Sequence, residues 1–351
     1  MLNNDQSQVS DNKSIKEKVF RTVEQDHAER DLYLKDDEIF DYHDFKIPRR
    51  ELTLICGYTG HGKTAFAIDI AVCMEEKGLK VAFITCELSS SEIRSRIERN
   101  ISEEYSLYED LKKNYKIDIF DTTRLDESFT LDTLKKLVSE LVEDKYDAIF
   151  LDYLQFIDKT ESDVKKQIRI YMKDIASFIQ NTSKKHNLYF VCTAQNNKES
   201  ATKYTLLENT NIAESSDIVR NAGYVLGLFK MKLNQEMQMN KDEKTELYRL
   251  RKSFESSSQI KENRYYMRGF VDPIYVKEQK SRRRPLKPSY RLLGFNYGLC
   301  KAVGTVYVDD EINCNNNKAN KTQKRGLSLV SSTNTEPIKS MKSMVRKNVN
   351  V

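Results

Sequence analysis

Beyond residue 50 the chain alternates short, nearly continuous apolar runs with longer stretches whose apolar residues recur every three or four positions. The runs at 52–57, 80–86, 117–120, 148–151, 188–194 and 224–229 are bounded by polar or turn residues. They have the length and composition of strands buried on both faces of a parallel sheet. Between them, 65–74 reads as an amphipathic helix closed by Gly78. Ser89-Ser-Ser-Glu92 carries the Ser-x-x-Glu pattern that caps a helix start. Leu131, Leu134, Val138 and Leu141 mark one helix face, and Val164, Ile168, Met172, Ile175 and Ile179 trace a longer helix. A late strand follows at 274–276. Strands and helices taking turns predict an α/β fold, with a mostly parallel twisted sheet, right-handed crossovers and helices on both faces. The ligand of such a sheet sits at the carboxyl ends of its strands.

The remaining segments set the organisation. Residues 1–45 read as a polar arm or linker, in which 14–29 carries Ile15, Val19 and Val23 on one side of a helix. That stripe is too narrow to fold alone; it packs on its own chain or docks on a neighbouring copy. A core is expected over 46–308, interrupted by a charged insertion at 231–268, and 309–351 is expected to be a basic, disordered tail. With 351 residues, 39% of them apolar, the chain can bury a sizeable core. The first residues are polar where a signal peptide is apolar, and no run of about 18 apolar residues occurs, so a soluble cytoplasmic protein without membrane association is expected. Six scattered cysteines without metal-ligand spacing read as core filler in a reducing compartment. The net charge of +5 is uneven. Residues 277–351 hold sixteen basic and five acidic side chains, +11, leaving −6 for the rest. Any affinity for polyanions is therefore concentrated near the C-terminal end, unless those charges are simply solvated.

The candidate chemistry begins with Leu52-Thr-Leu-Ile-Cys-Gly57-Tyr-Thr-Gly60-His-Gly62-Lys63-Thr64, an apolar strand entering the GxxxxGK[ST] spacing of a nucleoside-triphosphate cradle. Gly57, Gly60 and Gly62 free the backbone to aim successive N–H groups at phosphate oxygens, at the start of the next helix. Lys63 suits the β- and γ-phosphates of ATP and Thr64 suits Mg2+. Asp152 ends an apolar strand, where a buried acid holds the magnesium shell; such an Asp can also cap a turn. Glu87 ends the second strand of the core and is placed to take a proton from an attacking water, or else serves as a helix-start acid. Gln195 ends another strand and can donate to a γ-phosphate, or is an ordinary loop amide.

Taken in order, Gly57 to Thr64, Glu87-Leu-Ser-Ser-Ser-Glu92 with Arg96, Asp121-Thr122, Asp152-Tyr-Leu-Gln155, Gln195-Asn196 and Glu214-Ser215 resemble the RecA-like P-loop ATPase domain of DnaB-family replicative helicases. The resemblance covers roughly 52–295, and Asp152-Tyr-Leu-Gln155 is its most specific piece. It implies Mg-ATP bound by Lys63 and Thr64, water activated by Glu87, metal organised by Asp152 and a γ-phosphate sensed by Gln195. It also implies a Lys-x-Arg pair reaching a neighbour's nucleotide, here Lys280 and Arg282, although Arg283 and Arg284 follow at once and the family's glycine after the pair is missing. Lys165, Lys166, Lys198 and Lys203 are the implied DNA contacts, beside Tyr204 for stacking. The implied activity is ATP-driven 5′ to 3′ translocation on single-stranded DNA by a hexameric homo-oligomer that unwinds duplex in replication, with a primase or loader as partner. Family members carry an N-terminal helical domain that meets primase, whereas about 50 residues precede the core here, so coupling through that domain is not expected. Two other readings stay open: a RecA-, RadA- or KaiC-like ATPase that remodels DNA or assemblies without unwinding, and a regulator that binds nucleotide without hydrolysis.

Overall fold

The computed structural model describes residues 39–43, 45–101, 116–158, 168–196, 216–230, 271–283, 291–307 and 328–330. Residues 1–39 and 40–351 are two separate units, and of the first only Ile39 is described. The described strands are β1 (Ile39–Tyr42), β2 (Phe45–Pro48), β3 (Leu52–Gly57), β4 (Val81–Thr85), β5 (Ile117–Asp121), β6 (Ala148–Asp152), β7 (Tyr189–Gln195), β8 (Tyr224–Phe229), β9 (Val271–Ser281), β10 (Arg291–Asn296), β11 (Lys301–Tyr307) and β12 (Ser328–Val330). The helices are α1 (Lys63–Glu76), α2 (Ser90–Ile101), α3 (Leu131–Glu143), α4 (Ile168–His186) and α5 (Ser216–Asn221).

Ten strands form one sheet in the order β12-β11-β10-β9-β8-β3-β7-β6-β4-β5. From β5 across to β8 every pairing is parallel, and from β8 outward every pairing is antiparallel. The mostly parallel α/β expectation therefore holds for the half built of strand and helix in turn. The other half closes with a meander whose strands β10 and β11 the sequence reading missed. Residues of β3, β4, β6 and β8 are all buried, which is why those runs lack polar alternation. Ile55, Phe83, Phe150 and Val191 face one core with α1 and the β1–β2 hairpin. Leu54, Ile84, Ile149 and Phe190 face the other, with α3 and α4.

The helices follow their sequence signals with two corrections. Thr130 caps α3, whose Leu131, Leu134, Val138 and Leu141 are all buried. At α2, Ser89 Oγ accepts from Glu92 N at 3.3 Å while Glu92 Oε2 accepts from Ser89 N at 3.1 Å, a reciprocal capping pair. In contrast, α1 is not amphipathic: nine of its residues, Asp69 included, are buried. It lies between the sheet and the β1–β2 hairpin, with the Phe66 ring 5.3 Å from Tyr42 and 6.4 Å from both Phe45 and Phe295. Asp69 is tolerated there because it accepts from Tyr42 Oη at 2.5 Å, Asn100 Nδ2 at 2.8 Å and Ala302 N at 2.8 Å. In α4, Met172, Ile175 and Ile179 are buried as expected, but Ile168 is 42% exposed. It shares their face, yet no described residue covers the helix that far out. Val164, the arm at 14–29, the insertion at 231–268 and all but three residues of 309–351 lie outside the described residues. Those three form β12 against β11 rather than a disordered tail, and the core starts before residue 46, because Phe40, Tyr42 and Phe45 of the first hairpin are buried in it.

At the end of the sheet where β3 and β8 begin, Arg283 Nε reaches Glu51 Oε1 at 3.2 Å, and both side chains are nearly inaccessible. Gly223 makes room for this pair, since a Cβ there would sit 1.4 Å from Glu51 Oε2 and 2.7 Å from Glu51 Cβ. Gly223→Ala must displace Glu51 and strand the buried guanidinium, an expected loss of about 3 kcal/mol or more in denaturant unfolding of the full chain. An unchanged midpoint would contradict the pairing. Five described cysteines are free, and burial lifts the Cys56 and Cys86 thiols to about 12. They therefore stay protonated and inert, as core filler should. Among the described residues no helix is long and apolar enough to cross a membrane.

Candidate nucleotide site

The phosphate loop leaves β3 at Gly57 and turns into α1 at Lys63. Gly60 and Gly62 have φ of 80° and 84°, values that side chains disfavour. Close approach matters as well. A Cβ on Gly57 would lie 2.9 Å from the Leu228 carbonyl oxygen, and one on Gly62 would lie 2.7 Å from the Tyr297 ring. The loop closes on itself through His61 N to Tyr58 O at 3.2 Å, and Lys63 Nζ donates to the same carbonyl at 3.0 Å. Burial lowers the Lys63 pKa, opposed by the charge of Asp152.

Asp152 ends β6, next to β4 on one side and β7 on the other. Its buried carboxylate accepts from Thr64 Oγ1 at 2.8 Å and from Thr193 Oγ1 of β7. Burial raises its pKa, while the Thr193 and Thr64 hydrogen bonds and then Lys63 and Arg96 work against that rise. Thr64 and Asp152 thus stand together as hard oxygen donors beside a phosphate cradle, the donor set that magnesium takes.

Glu87 lies just past β4 and is exposed on the cleft. The helix-start role open to it belongs to other acids. Glu92 serves the Ser89 amide, and Asp121 Oδ2 accepts from Ser90 N at 2.7 Å. Gln195 ends β7 and donates from Nε2 to Thr59 Oγ1 of the phosphate loop at 2.6 Å. Thr59, Gly60, Gly62, Lys63, Thr64, Glu87, Asp152 and Gln195 line one cleft of about 530 Å³, large enough for a nucleoside triphosphate. Arg96 and Arg99 of α2, with Tyr297 and Cys300 of the β10–β11 turn, complete it. Of these four only Arg96 belongs to a motif visible in the sequence, where no role attaches to it. Tyr297 and Cys300 are placed by the β10–β11 pairing, which has no local sequence signal.

Lys280 and Arg282 are not in this cleft. Strand β9 is longer than expected and sets Lys280 opposite Val225, near the start of β8. That level matches Leu54 of β3, about 10 Å of strand away from Gly57. Lys280 Nζ donates to the carbonyls of Val219 at 2.5 Å and Arg220 at 2.9 Å, and Arg282 Nη2 donates to Arg220 O at 2.6 Å. Both cations therefore rest on the C-terminal carbonyls of α5. Burial, then the neighbouring Arg282, pulls the Lys280 pKa down to about 8. Arg283, the rival in register, is committed to Glu51. Lys165, Lys166, Lys198, Lys203, Tyr204, Glu214, Ser215 and Arg284 lie outside the described residues.

Comparison with known proteins agrees with this geometry. Residues 46–278 match the DnaB-like helicase C-terminal domain family. A probable plasmid replicative DNA helicase of Chlamydia psittaci is 30% identical over 210 residues, 54% of this chain and 44% of that protein. A counterpart in Chlamydia trachomatis is 26% identical over 198 residues, 51% of this chain and 43% of its own. The match thus spans less than half the length of these relatives. Among solved structures, a DnaB-like replicative helicase, studied with its interactions with primase, superposes with a TM-score of 0.59 at 13% identity over 82% of this chain and 69% of its own. A second solved structure, of an ATPase domain, gives 0.54 at 15% identity over 73% of this chain and 85% of its own. At such identities these structures speak to the fold alone, which is RecA-like. With two thirds of its length matched, and with a phosphate loop, a strand-end acid and a strand-end glutamine meeting in one cleft, the chain belongs to the DnaB-like helicases through their C-terminal domain.

Proposed function

We propose that this chain is a DnaB-type motor that hydrolyses ATP with Mg2+ and uses the cycle to move 5′ to 3′ along single-stranded DNA, unwinding duplex in replication. The observation that carries the reading is the convergence of Lys63, Thr64, Glu87, Asp152 and Gln195, drawn from four strand ends, on a single cleft. A binder that does not hydrolyse has no need of an exposed carboxylate beside the cradle. The names of the chlamydial relatives support the replicative role.

In this reading Lys63 exchanges the Tyr58 carbonyl for β- and γ-phosphate oxygens, and the loop amides hold the remainder of the triphosphate. Thr64 and Asp152 would hold magnesium, whose charge offsets that on the β- and γ-phosphates. Glu87 takes the proton of the attacking water, and Gln195 contacts the γ-phosphate. Lys280 and Arg282 lie outside their own cleft, which supports a role at a neighbour's nucleotide within a homo-oligomeric ring, in this reading a hexamer. Binding to DNA falls to Lys165, Lys166, Lys198 and Lys203, each contact weakening with salt. The core of the motor runs from the β1–β2 hairpin to 308, with the residues before that hairpin as an arm, 231–268 as an insertion and the stretch from 309 as a basic tail. A primase or a loader is the expected protein partner.

The test is unwinding of forks bearing only a 5′ or only a 3′ single-stranded tail, with ATP consumption followed in the same reactions. Separation of the 5′-tailed fork alone is expected. Hydrolysis stimulated by DNA without strand separation would favour a remodelling ATPase. Hydrolysis indifferent to DNA would remove both readings.

A further inference from the structure

Gln155 belongs to the Asp152-Tyr-Leu-Gln155 run but does not line the cleft. It sits in a single 3-10 turn, Leu154–Phe156, directly after β6. The β6–β7 ladder ends at Leu151 opposite Cys192, because β6 turns away after Asp152. The last residues of β7 thus lose their strand partner on that side, and the N–H and C=O of Gln195 point into the gap. The Gln155 side chain fills it. Its Oε1 accepts from Gln195 N at 3.1 Å, and its Nε2 donates to Gln195 O at 3.1 Å. A side-chain amide here copies the donor and acceptor of the missing strand. On its other edge, β7 is held by β3, through the Gly57–Gln195 pairing and Asn196 N to Gly57 O at 3.1 Å. Clamped on both edges, Gln195 extends its own amide 2.6 Å to Thr59 in the phosphate loop.

We infer that Gln155 is a positioning residue for Gln195: it aims the strand-end glutamine at the γ-phosphate end of the cleft without touching nucleotide. The inference rests on the hydrolytic reading given above. Both polar groups of Gln155 are occupied by Gln195, so its loss acts through Gln195 and leaves the phosphate loop intact. Misplacing a contact group by about 1 Å can cost on the order of 100-fold in rate.

The full chain carrying Gln155→Ala is expected to lose about 10- to 100-fold in kcat while KM and equilibrium ATP binding stay within about twofold. Gln155→Glu keeps the acceptor for Gln195 N but sets a second acceptor against Gln195 O, so a loss at least as large as that of Gln155→Ala is expected. It also serves if the alanine variant folds poorly. In a Gln195→Ala background, Gln155→Ala should lower kcat no further, because there is nothing left to aim. Hydrogen exchange provides a readout independent of turnover, in which the Gln195 amide should lose protection in Gln155→Ala. Losses that multiply in the double variant, a kcat within twofold of the parent, or unchanged exchange at Gln195 would each overturn the inference. A parent chain that fails to hydrolyse ATP would instead strike the functional reading, and the exchange measurement would still decide whether Gln155 holds Gln195.

Discussion

Arg282→Ala chains are expected to bind ATP as tightly as the parent and to turn it over about 10³-fold more slowly or worse, the range measured for cations supplied by a partner. Affinity should survive because Arg282 is remote from the cleft, where Lys63, Thr64 and the loop amides hold the nucleotide. Turnover should fall because, of the two described arginines in the cluster, Arg282 is exposed whereas Arg283 is tied to Glu51. Equilibrium nucleotide binding and steady-state hydrolysis separate the two effects. Mixing Arg282→Ala with Lys63→Ala chains then tests the action between subunits. In a mixed ring, an intact cleft on the first kind of chain meets an intact cation pair on the second. Activity should return at intermediate ratios. If mixed rings assemble and no ratio restores hydrolysis, the assignment fails.

Glu87→Gln should retain ATP affinity and lose about 10²- to 10⁴-fold in single-turnover hydrolysis, the usual contribution of a general base. The substitution keeps size and hydrogen-bonding shape but cannot accept the proton of an attacking water. Its stability cost should be small, because Glu92 and Asp121 already serve the start of α2 and Glu87 stands exposed. Turnover within about threefold of the parent would transfer the base to another group in the cleft.

The parts of this structure legible in the sequence are those encoded locally. The phosphate loop declares itself because Gly60 and Gly62 need left-handed backbone and Lys63 follows at once. The α3 stripe and the Ser89–Glu92 cap are equally local. What escaped depends on partners far along the chain. The burial of α1 on all sides follows from Tyr42, Phe45 and Phe295 closing over Phe66, which no periodicity within α1 can announce. Strands β10 and β11 bring Tyr297 to Gly62 through a pairing register that only tertiary structure fixes. The same holds for Gln155: its place in a motif was visible, but its service to Gln195, 40 residues on, was not. The register of the basic cluster was unreadable because three arginines in a row look alike, until a buried acid claims one of them.

The carboxylate of Asp69 has a bearing on any attempt to excise or graft this motor. The span recognisable as the family domain, 46–278, begins inside β2 and stops inside β9. Two of the three donors to Asp69, Tyr42 and Ala302, fall outside it on opposite sides, as do Phe45 and Phe295 against Phe66. A fragment cut to that span would carry an ionisable group in an opened core directly behind its phosphate loop. The transplantable unit is therefore larger than the recognisable one, reaching from the first hairpin to the last full strand of the meander.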